Sequence, residues 1–175
     1  MKIQKYKCPK KIGNGGDGIM FRIAKGLVAK ICYADNWTTQ DSRIGTKLYE
    51  EGISVPKPYG ICPIHFPCGY GAFFEGDTVN GNVMQYIQGK NGYKLLKKPK
   101  RLNKAKRLRD IEIERAIKKG FHTPVDVDDF SNFILTFFDN VYLIDFTKWG
   151  HKDIPQLPEF AYAEEWYKKC HPNQD

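Results

Sequence analysis

Residues 11–30 read K-I-G-N-G-G-D-G-I-M-F-R-I-A-K-G-L-V-A-K, and the reading of this stretch decides the fold. Gly13, Gly15 and Gly18 form a G-x-G-x-x-G set. Beyond it Ile19, Phe21 and Ile23 alternate with Met20, Arg22 and Ala24, a period of two that predicts a strand. Lys25-Gly26 then turns the chain tightly into Leu27-Val28-Ala29-Lys30-Ile31. The glycines therefore join two strands. That context excludes the dinucleotide-binding fingerprint, which needs a helix directly after its glycines. It also excludes the Walker loop, which ends in G-K-[ST], because Ile19 and Met20 follow Gly18. A glycine hairpin can approach a ligand without Cβ interference and offer its N–H groups to phosphate oxygens. A plain β-turn uses the same letters, so the rest of the chain must decide between them.

A chain of 175 residues makes one domain, or two small lobes sharing a cleft. At 41% hydrophobic and 27% charged it has the composition of a soluble globular protein. No apolar run approaches the roughly 20 residues that span a bilayer, so no membrane span is expected. The first eleven residues, M-K-I-Q-K-Y-K-C-P-K-K, lack the apolar core of a signal peptide. With five cysteines and no export signal, reduced thiols in a cytoplasmic protein are the expectation. Cys62, His65 and Cys68 are spaced three apart, but zinc would need a fourth ligand from Cys8 or Cys170 far along the chain. Packing within a loop accounts for them better.

The formal charge of +8 is concentrated in one place. Residues 94–119 hold twelve Lys and Arg against Asp110, Glu112 and Glu114, a net +9, so the remainder sums to −1. This segment could attract an acidic protein partner, a phosphorylated substrate or nucleic acid, or simply be a solvated helix face. It has no interleaved aromatics, which ranks nucleic acid last.

Taken in order, a helix is expected over about 38–51, capped by Asn36 or Thr38 and ended by Gly52. Extended chain follows through Pro56 and Pro58. Strand-like runs lie at 59–61, 72–75 and 83–87, the first two separated by a loop rich in Gly, Pro and Cys. Gly89, Asn91 and Gly92 then interrupt the pattern, marking a boundary between residues 1–87 and 88–175. Residues 102–119 read as a helix with Leu102, Ala105, Ile113, Ala116 and Ile117 on one side and Leu108 and Ile111 off it. Residues 122–129 are irregular and acid-rich. Residues 133–135 and 141–144 form a hairpin around Asp139-Asn140, and Asp145 follows directly. Residues 159–169 form a last helix with Phe160, Ala163 and Tyr167 inward.

This order resembles the protein-kinase-like superfamily over roughly residues 11–150, closest to compact atypical members such as the RIO and lipopolysaccharide-kinase types. Residues 48–58, L-Y-E-E-G-I-S-V-P-K-P, match the phrase L-x-x-x-G-I-x-V-P-x-P common in those kinases. The resemblance implies an α+β, two-lobed protein-kinase-like fold, with a β-rich N-lobe over 1–87 and a truncated, mainly helical C-lobe over 88–175. It implies an ATP- and Mg²⁺-dependent transfer of the γ-phosphate to a hydroxyl, most readily a protein Ser/Thr, with the basic segment as a docking surface. The alternatives are a pseudokinase that binds nucleotide or protein, and a small-molecule or glycan kinase.

Residue by residue, Gly13, Asn14, Gly15, Gly16 and Gly18 match the loop over the phosphates. Lys30 matches the strand lysine on the α- and β-phosphates, and Asp41 matches its helix acid, usually glutamate. Met84 and Tyr86 lie in the hinge that meets adenine, where Gln85 replaces a common glutamate. Asn132 and Asp145, thirteen residues apart as is usual, match the metal-binding pair, whose hard oxygens suit magnesium. Asp145-Phe146-Thr147 is a D-F-G variant. The catalytic aspartate should stand five residues before the asparagine, at Val127; Asp126 and Asp128 flank that position and are the candidates to accept the substrate proton, with Asp129 nearby. His122 stands where the family often has histidine. Only thirty residues follow Asp145, so an activation loop with an A-P-E phrase is not expected.

Overall fold

The glycine stretch folds as its alternation predicts. In a computed structural model, which describes residues 5–68, 76–124 and 130–154, β1 (Lys5–Gly15) and β2 (Gly18–Ala24) form an antiparallel hairpin closed at Gly16-Asp17. A turn with Gly26 at φ +78° leads into β3 (Leu27–Cys32). Two further strands, β4 (Pro58–Phe66) and β5 (Asp77–Gln85), complete an antiparallel sheet of order β1-β2-β3-β5-β4. The protein is thus α+β, built on a five-stranded antiparallel sheet with fewer helices.

Register determines which side chains line the two faces. Residues directly opposite in neighbouring strands point the same way. Met20 faces Lys30, which faces Asn82; Arg22 faces Val28, which faces Met84. These six occupy one face. The other face carries Phe21, Ala29, Ile31 and Val83, which pack with Ile64 and Phe66 into a buried cluster.

Helix α1 (Asp35–Glu50) lies on the Lys30 side of this sheet, with Ile44 and Leu48 fully buried. It starts a turn earlier than expected, and neither candidate cap acts. Ala34 is the N-cap, and its methyl side chain makes no capping bond. Asn36 sits inside the helix and accepts from Trp37 N, while Thr38 Oγ1 accepts from Cys32 N, tying the helix to β3 instead. Gly52 at φ +74° does end it, as a left-handed residue suited to glycine. Strand β4 is also longer than the sequence suggested: Cys62, Pro63 and His65 are strand, not loop. Pro63 cannot donate to a ladder, but β4 is an edge strand, where proline is tolerated.

Beyond β5 the chain builds a second, smaller sheet. Strands β6 (Gly89–Asn91), β8 (Phe133–Thr136) and β9 (Val141–Leu143) pair antiparallel in the order β6-β8-β9. Between β6 and β8 come α2 (Gly92–Leu95), α3 (Pro99–Lys118) and β7 (Phe121–His122), the last paired with β10 (Gly150–His151). Strand β6 and the short β7–β10 pair carry no sequence signal, because they are too short for periodicity. Gly89 is required where it stands: a Cβ there would sit 2.5 Å from the Leu135 carbonyl oxygen. In α3, Leu102, Ala105, Ile113 and Ala116 are buried as expected, but Ile117 is half exposed.

Two contacts hold the parts together. Ile44 and Leu48 of α1 share a core with Ile53, Val55, Ile113, Phe121, Leu143, Phe146 and Trp149. The extended segment after α1 locks onto β9, with Leu143 N donating to Ser54 O at 2.8 Å and Ser54 N donating to Glu112 on α3 at 2.9 Å. The L-x-x-x-G-I-x-V-P phrase is therefore a structural join: its Leu48, Ile53 and Val55 are core, and its Gly52 turns the chain.

The expectation of five reduced cysteines does not hold. Cys8 on β1 and Cys68 in the turn after β4 are joined as a disulfide, with Cα atoms 6.2 Å apart. They belong to the two edge strands of the sheet and the turn beyond one of them, and no spacing rule foretells their meeting. Strand 72–75, the helix over 159–169 and Cys170 lie outside the described residues. Among the described residues no helix is long and apolar enough to cross a membrane.

Candidate functional site

Lys30 is the centre of the site. Its position on β3 directs the side chain off the sheet toward α1, leaving it 6% exposed. Its ammonium donates to Asp41 Oδ1 at 2.9 Å, Asp145 Oδ1 at 2.6 Å and Thr147 Oγ1 at 2.8 Å. Three acceptors match the three donors of a lysine ammonium. Burial alone would lower the Lys30 pKa, but the Asp41 and Asp145 carboxylates overcome it and hold the group well above its ordinary value. Lys30 is therefore charged throughout the physiological range.

Asp41, 1% exposed, organises the site from α1. Its Oδ1 accepts from Lys30 and from Phe146 N at 2.9 Å, and from Thr147 Oγ1 at 3.4 Å. Its Oδ2 accepts from Asn82 Nδ2 at 2.7 Å. One carboxylate thus ties β3, β5, α1 and the chain after β9. Gly45, one turn further along α1, lets the Phe146 ring come to 3.2 Å from where a Cβ would be, and this packing seats the Asp145-Phe146-Thr147 segment.

Asp145 adopts φ +70°, a left-handed conformation that is uncommon for a residue other than glycine and recurs at functional sites. Burial acts to raise its pKa, but Lys30 at 2.6 Å overrides this and lowers it. A carboxylate depressed by its folded surroundings adds stability above its unfolded pKa of about 3.9, and loses it as pH falls through the lower folded value. The stability difference between wild type and Asp145→Asn should therefore be constant near neutrality and narrow below about pH 4, measured by chemical denaturation across pH.

The free edge of Asp145, about one-third exposed at 34%, opens on a cleft of about 210 Å³. Gly15, Gly16 and Asp17 line one wall, and Ser131, Asn132, Asp145 and Lys148 the other. So the glycine turn, Asn132 and Asp145 come together. Lys148 Nζ reaches to 3.9 Å from Asp17 Oδ1, spanning the mouth. Asn132 Oδ1 accepts from Ser131 Oγ at 3.0 Å. The second oxygen of Asp145 and the amide oxygen of Asn132 are hard donors on one cleft wall. That donor set fits a magnesium ion, which binds through one or two protein oxygens and completes its shell with phosphate and water.

The glycines of the hairpin divide by role. A Cβ on Gly18 would lie 2.4 Å from the Ile31 carbonyl oxygen, so this glycine serves the approach of β2 to β3. At Gly13, Gly15 and Gly16 a Cβ would have nothing within 4 Å, which leaves their surface open to a ligand. Gly18→Ala should accordingly destabilise the fold by about 1–3 kcal/mol. Ala at Gly15 or Gly16 should change thermal stability little and, if the cleft takes a phosphate-bearing ligand, weaken its binding. Calorimetry with and without nucleotide separates the two effects.

The stretch expected to meet adenine continues a strand. Met84 and Gln85 belong to β5, and the Tyr86 N–H donates to Gly26 O at 2.8 Å. Gln85 N donates to Lys57 O at 2.9 Å. Neither amide points to a ligand. Val28 and Met84 on the cleft face are 4% and 7% exposed, and the Arg22 guanidinium lies 4.6 Å from the centre of the Tyr86 ring. Arg22, Asn82, Thr147 and Lys148 are site residues that sequence reasoning missed. A lone Thr or Lys after Asp-Phe carries no signal, but the register of β2 against Lys30 and Val28 could have placed Arg22 on the cleft face.

Cys32, Cys68 and His65 are each engaged away from the cleft chemistry. Cys32 neighbours the site, but burial pushes its thiol up to about 12, which leaves no thiolate for chemistry. Cys68 is taken by Cys8, and His65 Nδ1 lies 3.1 Å from Thr78 Oγ1 on the adjacent strand. His122 is on β7. Asp126 and Asp128, the candidate bases, and Asp129 lie outside the described residues. In the basic segment Arg115 pairs with Glu112, Lys119 with Glu51, and Arg101 and Lys104 with Asp139 of the β8–β9 turn, whereas Lys97, Lys98, Lys100 and Arg107 have no acidic partner among the described residues.

Comparison of the chain with protein-family models gives no match, and comparison with curated protein sequences gives none.

Proposed function

We propose that the protein is a two-lobed, protein-kinase-like phosphotransferase that moves the γ-phosphate of ATP to a hydroxyl, with a protein Ser/Thr as the first substrate class to test. The observation that carries this reading is the convergence of Lys30, Asp41 and Asp145 within 2.9 Å, beside a cleft shared by Gly15, Gly16 and Asn132. Asp145 lies 115 positions from Lys30, and a structural ion pair would not need an asparagine and a glycine turn facing the same space.

In this reading the cleft receives the triphosphate. Lys30, already charged and immobilised by Asp41, exchanges its Asp145 contact for phosphate oxygens. Asp145 and Asn132 would hold magnesium, which when bound neutralises the charge that spreads over the phosphate oxygens. Lys148, across the cleft mouth, supplies a second cation toward the terminal phosphate. Asp126 or Asp128 accepts the proton of the attacking hydroxyl. Positioning and charge neutralisation supply most of the acceleration in phosphoryl transfer.

The test is incubation with magnesium-ATP, generic protein substrates and glycans, reading intact mass and ATP turnover, with Asp145→Asn as the control. Mass gain of one phosphoryl group that depends on Asp145 supports the reading. Loss of turnover in only one of Asp126→Ala and Asp128→Ala identifies the base. No turnover and no nucleotide binding by a folded protein would sink it.

A second reading, a pseudokinase that binds partners without transfer, is favoured by the base end of the cleft. There the Tyr86 N–H is already bonded to Gly26 and the Arg22–Tyr86 stack lies beside the buried Val28 and Met84. Adenine would have to displace that stack. Nucleotide titration of Arg22→Ala discriminates: tighter ATP binding than wild type points to an occluded but functional pocket, and absent binding in both points to the pseudokinase.

A further inference from the structure

The β8–β9 hairpin ends in Thr136-Phe137-Phe138-Asp139-Asn140. Phe137 and Phe138 are 84% and 82% exposed, more than any other large apolar residue described. Their rings meet edge to face at 5.5 Å, so they project as one unit. The tip is held firmly. Asp139 takes the left-handed conformation at φ 61°, its N–H donates to Thr136 O at 3.3 Å, and Asn140 N donates to Thr136 Oγ1 at 3.1 Å. From α3, Arg101 donates to Thr136 O and Asp139 Oδ1, each at 3.1 Å, and Lys104 donates to Asp139 Oδ2 at 2.8 Å. A rigid tip bearing two exposed phenyl rings is unfavourable on a water-facing surface unless something covers them.

The surroundings of the tip indicate what that is. Residues 90–107 carry nine Lys and Arg and no Asp or Glu. Among the described residues the one acid that reaches them, Asp139, is already neutralised by Arg101 and Lys104. Lys90, opposite Leu135 in the β6–β8 ladder, and Arg101 line the same open groove as Phe137 and Phe138. Lys97, Lys98, Lys100 and Arg107 have no acidic partner among the described residues. Apolar rings at an exposed tip, with Lys90 beside them and an acid-free basic segment tied to the tip through Arg101 and Lys104, complement a surface that is negative on the outside and apolar a few ångströms in. A bilayer with anionic headgroups has that profile. It needs no shape complementarity to a projecting tip, and its surface potential attracts dispersed lysines.

We propose that the Phe137-Phe138 tip and the N-terminal half of α3 form a docking surface for anionic lipid bilayers, with the phenyl rings inserted at the headgroup boundary. This is peripheral attachment. It does not depend on whether the Lys30 cleft transfers phosphate.

The experiment is co-sedimentation of the full chain with phosphatidylcholine vesicles, with and without phosphatidylserine. Binding should require phosphatidylserine and weaken as salt is raised. Phe137→Ser/Phe138→Ser should weaken it at least about tenfold, given the apolar burial lost. Lys90→Glu/Lys100→Glu should weaken it comparably with the rings intact. These positions are exposed, so circular dichroism should show unchanged folding. As a direct readout, the emission of a Phe138→Trp protein should shift to the blue on phosphatidylserine vesicles and be quenched by brominated acyl chains. Absence of binding at low salt would overturn the proposal, as would binding that ignores the Phe pair. Concentration-dependent dimerisation that the Phe pair alone controls, without vesicle binding, would assign the tip to a second copy of the chain. Salt-sensitive RNA binding that survives Phe137→Ser/Phe138→Ser, without vesicle binding, would assign the basic face to nucleic acid.

Discussion

Asp41→Ala is expected to lower stability by about 3–5 kcal/mol, the range for removing one partner of a buried ion pair. The reason is the number of groups that depend on one carboxylate. Asp41 accepts from the Lys30 ammonium, the Asn82 amide, the Phe146 N–H and, more weakly, the Thr147 hydroxyl. With methyl in its place, Asn82 Nδ2 and Phe146 N are left buried without an acceptor, and Lys30 keeps only Asp145 and Thr147. A typical domain is stable by about 5–15 kcal/mol, so this loss is a large share of the whole. The melting temperature should fall by roughly 10 °C or more. Asp41→Asn should fall between wild type and Asp41→Ala, since it keeps one acceptor oxygen but turns an NH₂ toward either Asn82 or Lys30. A melting temperature for Asp41→Ala within about 2 °C of wild type would show that the hub carries little of the fold's stability.

Asp145→Asn should cost the fold less than Asp41→Ala and, on the phosphotransfer reading, remove transfer. Asparagine keeps an oxygen for Lys30 Nζ and Thr147 Oγ1, and it tolerates the left-handed backbone at φ +70° better than most residues. What it loses is the charge that faces the cleft beside Asn132. On the phosphotransfer reading turnover should drop by at least about 10²-fold, the usual cost of removing one preorganised charge-stabilising group. Magnesium should no longer strengthen nucleotide binding in the variant, whereas in wild type it should, as read by calorimetry with and without the ion. Metal-free nucleotide affinity should be retained or slightly raised, because Lys30 is less tightly held. Unchanged turnover in Asp145→Asn would remove Asp145 from the chemistry even if the protein proves to be a kinase.

Much of the frame is legible in the sequence because it is local. The glycine hairpin, the alternation of residues 19–24 and the turn at Gly26 produce a sheet by short-range rules, and the left-handed Gly52 ends α1 where a glycine should. The hairpin around Asp139-Asn140 is equally readable. The caps of α1 are not, because Thr38 is recruited by Cys32 across space, a contact that no helix rule contains. The Cys8–Cys68 bond escapes sequence reasoning because it joins one edge strand to the turn beyond the other, a meeting that no spacing rule foretells.

The candidate site divides along the same line. The glycine hairpin from Gly13 to Gly18 is legible from its own residues, while Lys30, Asp41, Asn132 and Asp145 are singled out by the resemblance of their order to the protein-kinase-like superfamily. Only the tertiary structure decided that Gly18 serves strand packing while Gly15 and Gly16 face the cleft, that Thr147 and Asn82 complete the Lys30–Asp41 network, and that the Tyr86 amide is already bonded. Periodicity reports which side of its own strand or helix a residue faces. It does not report what another element, 41 or 117 residues away, brings to meet it.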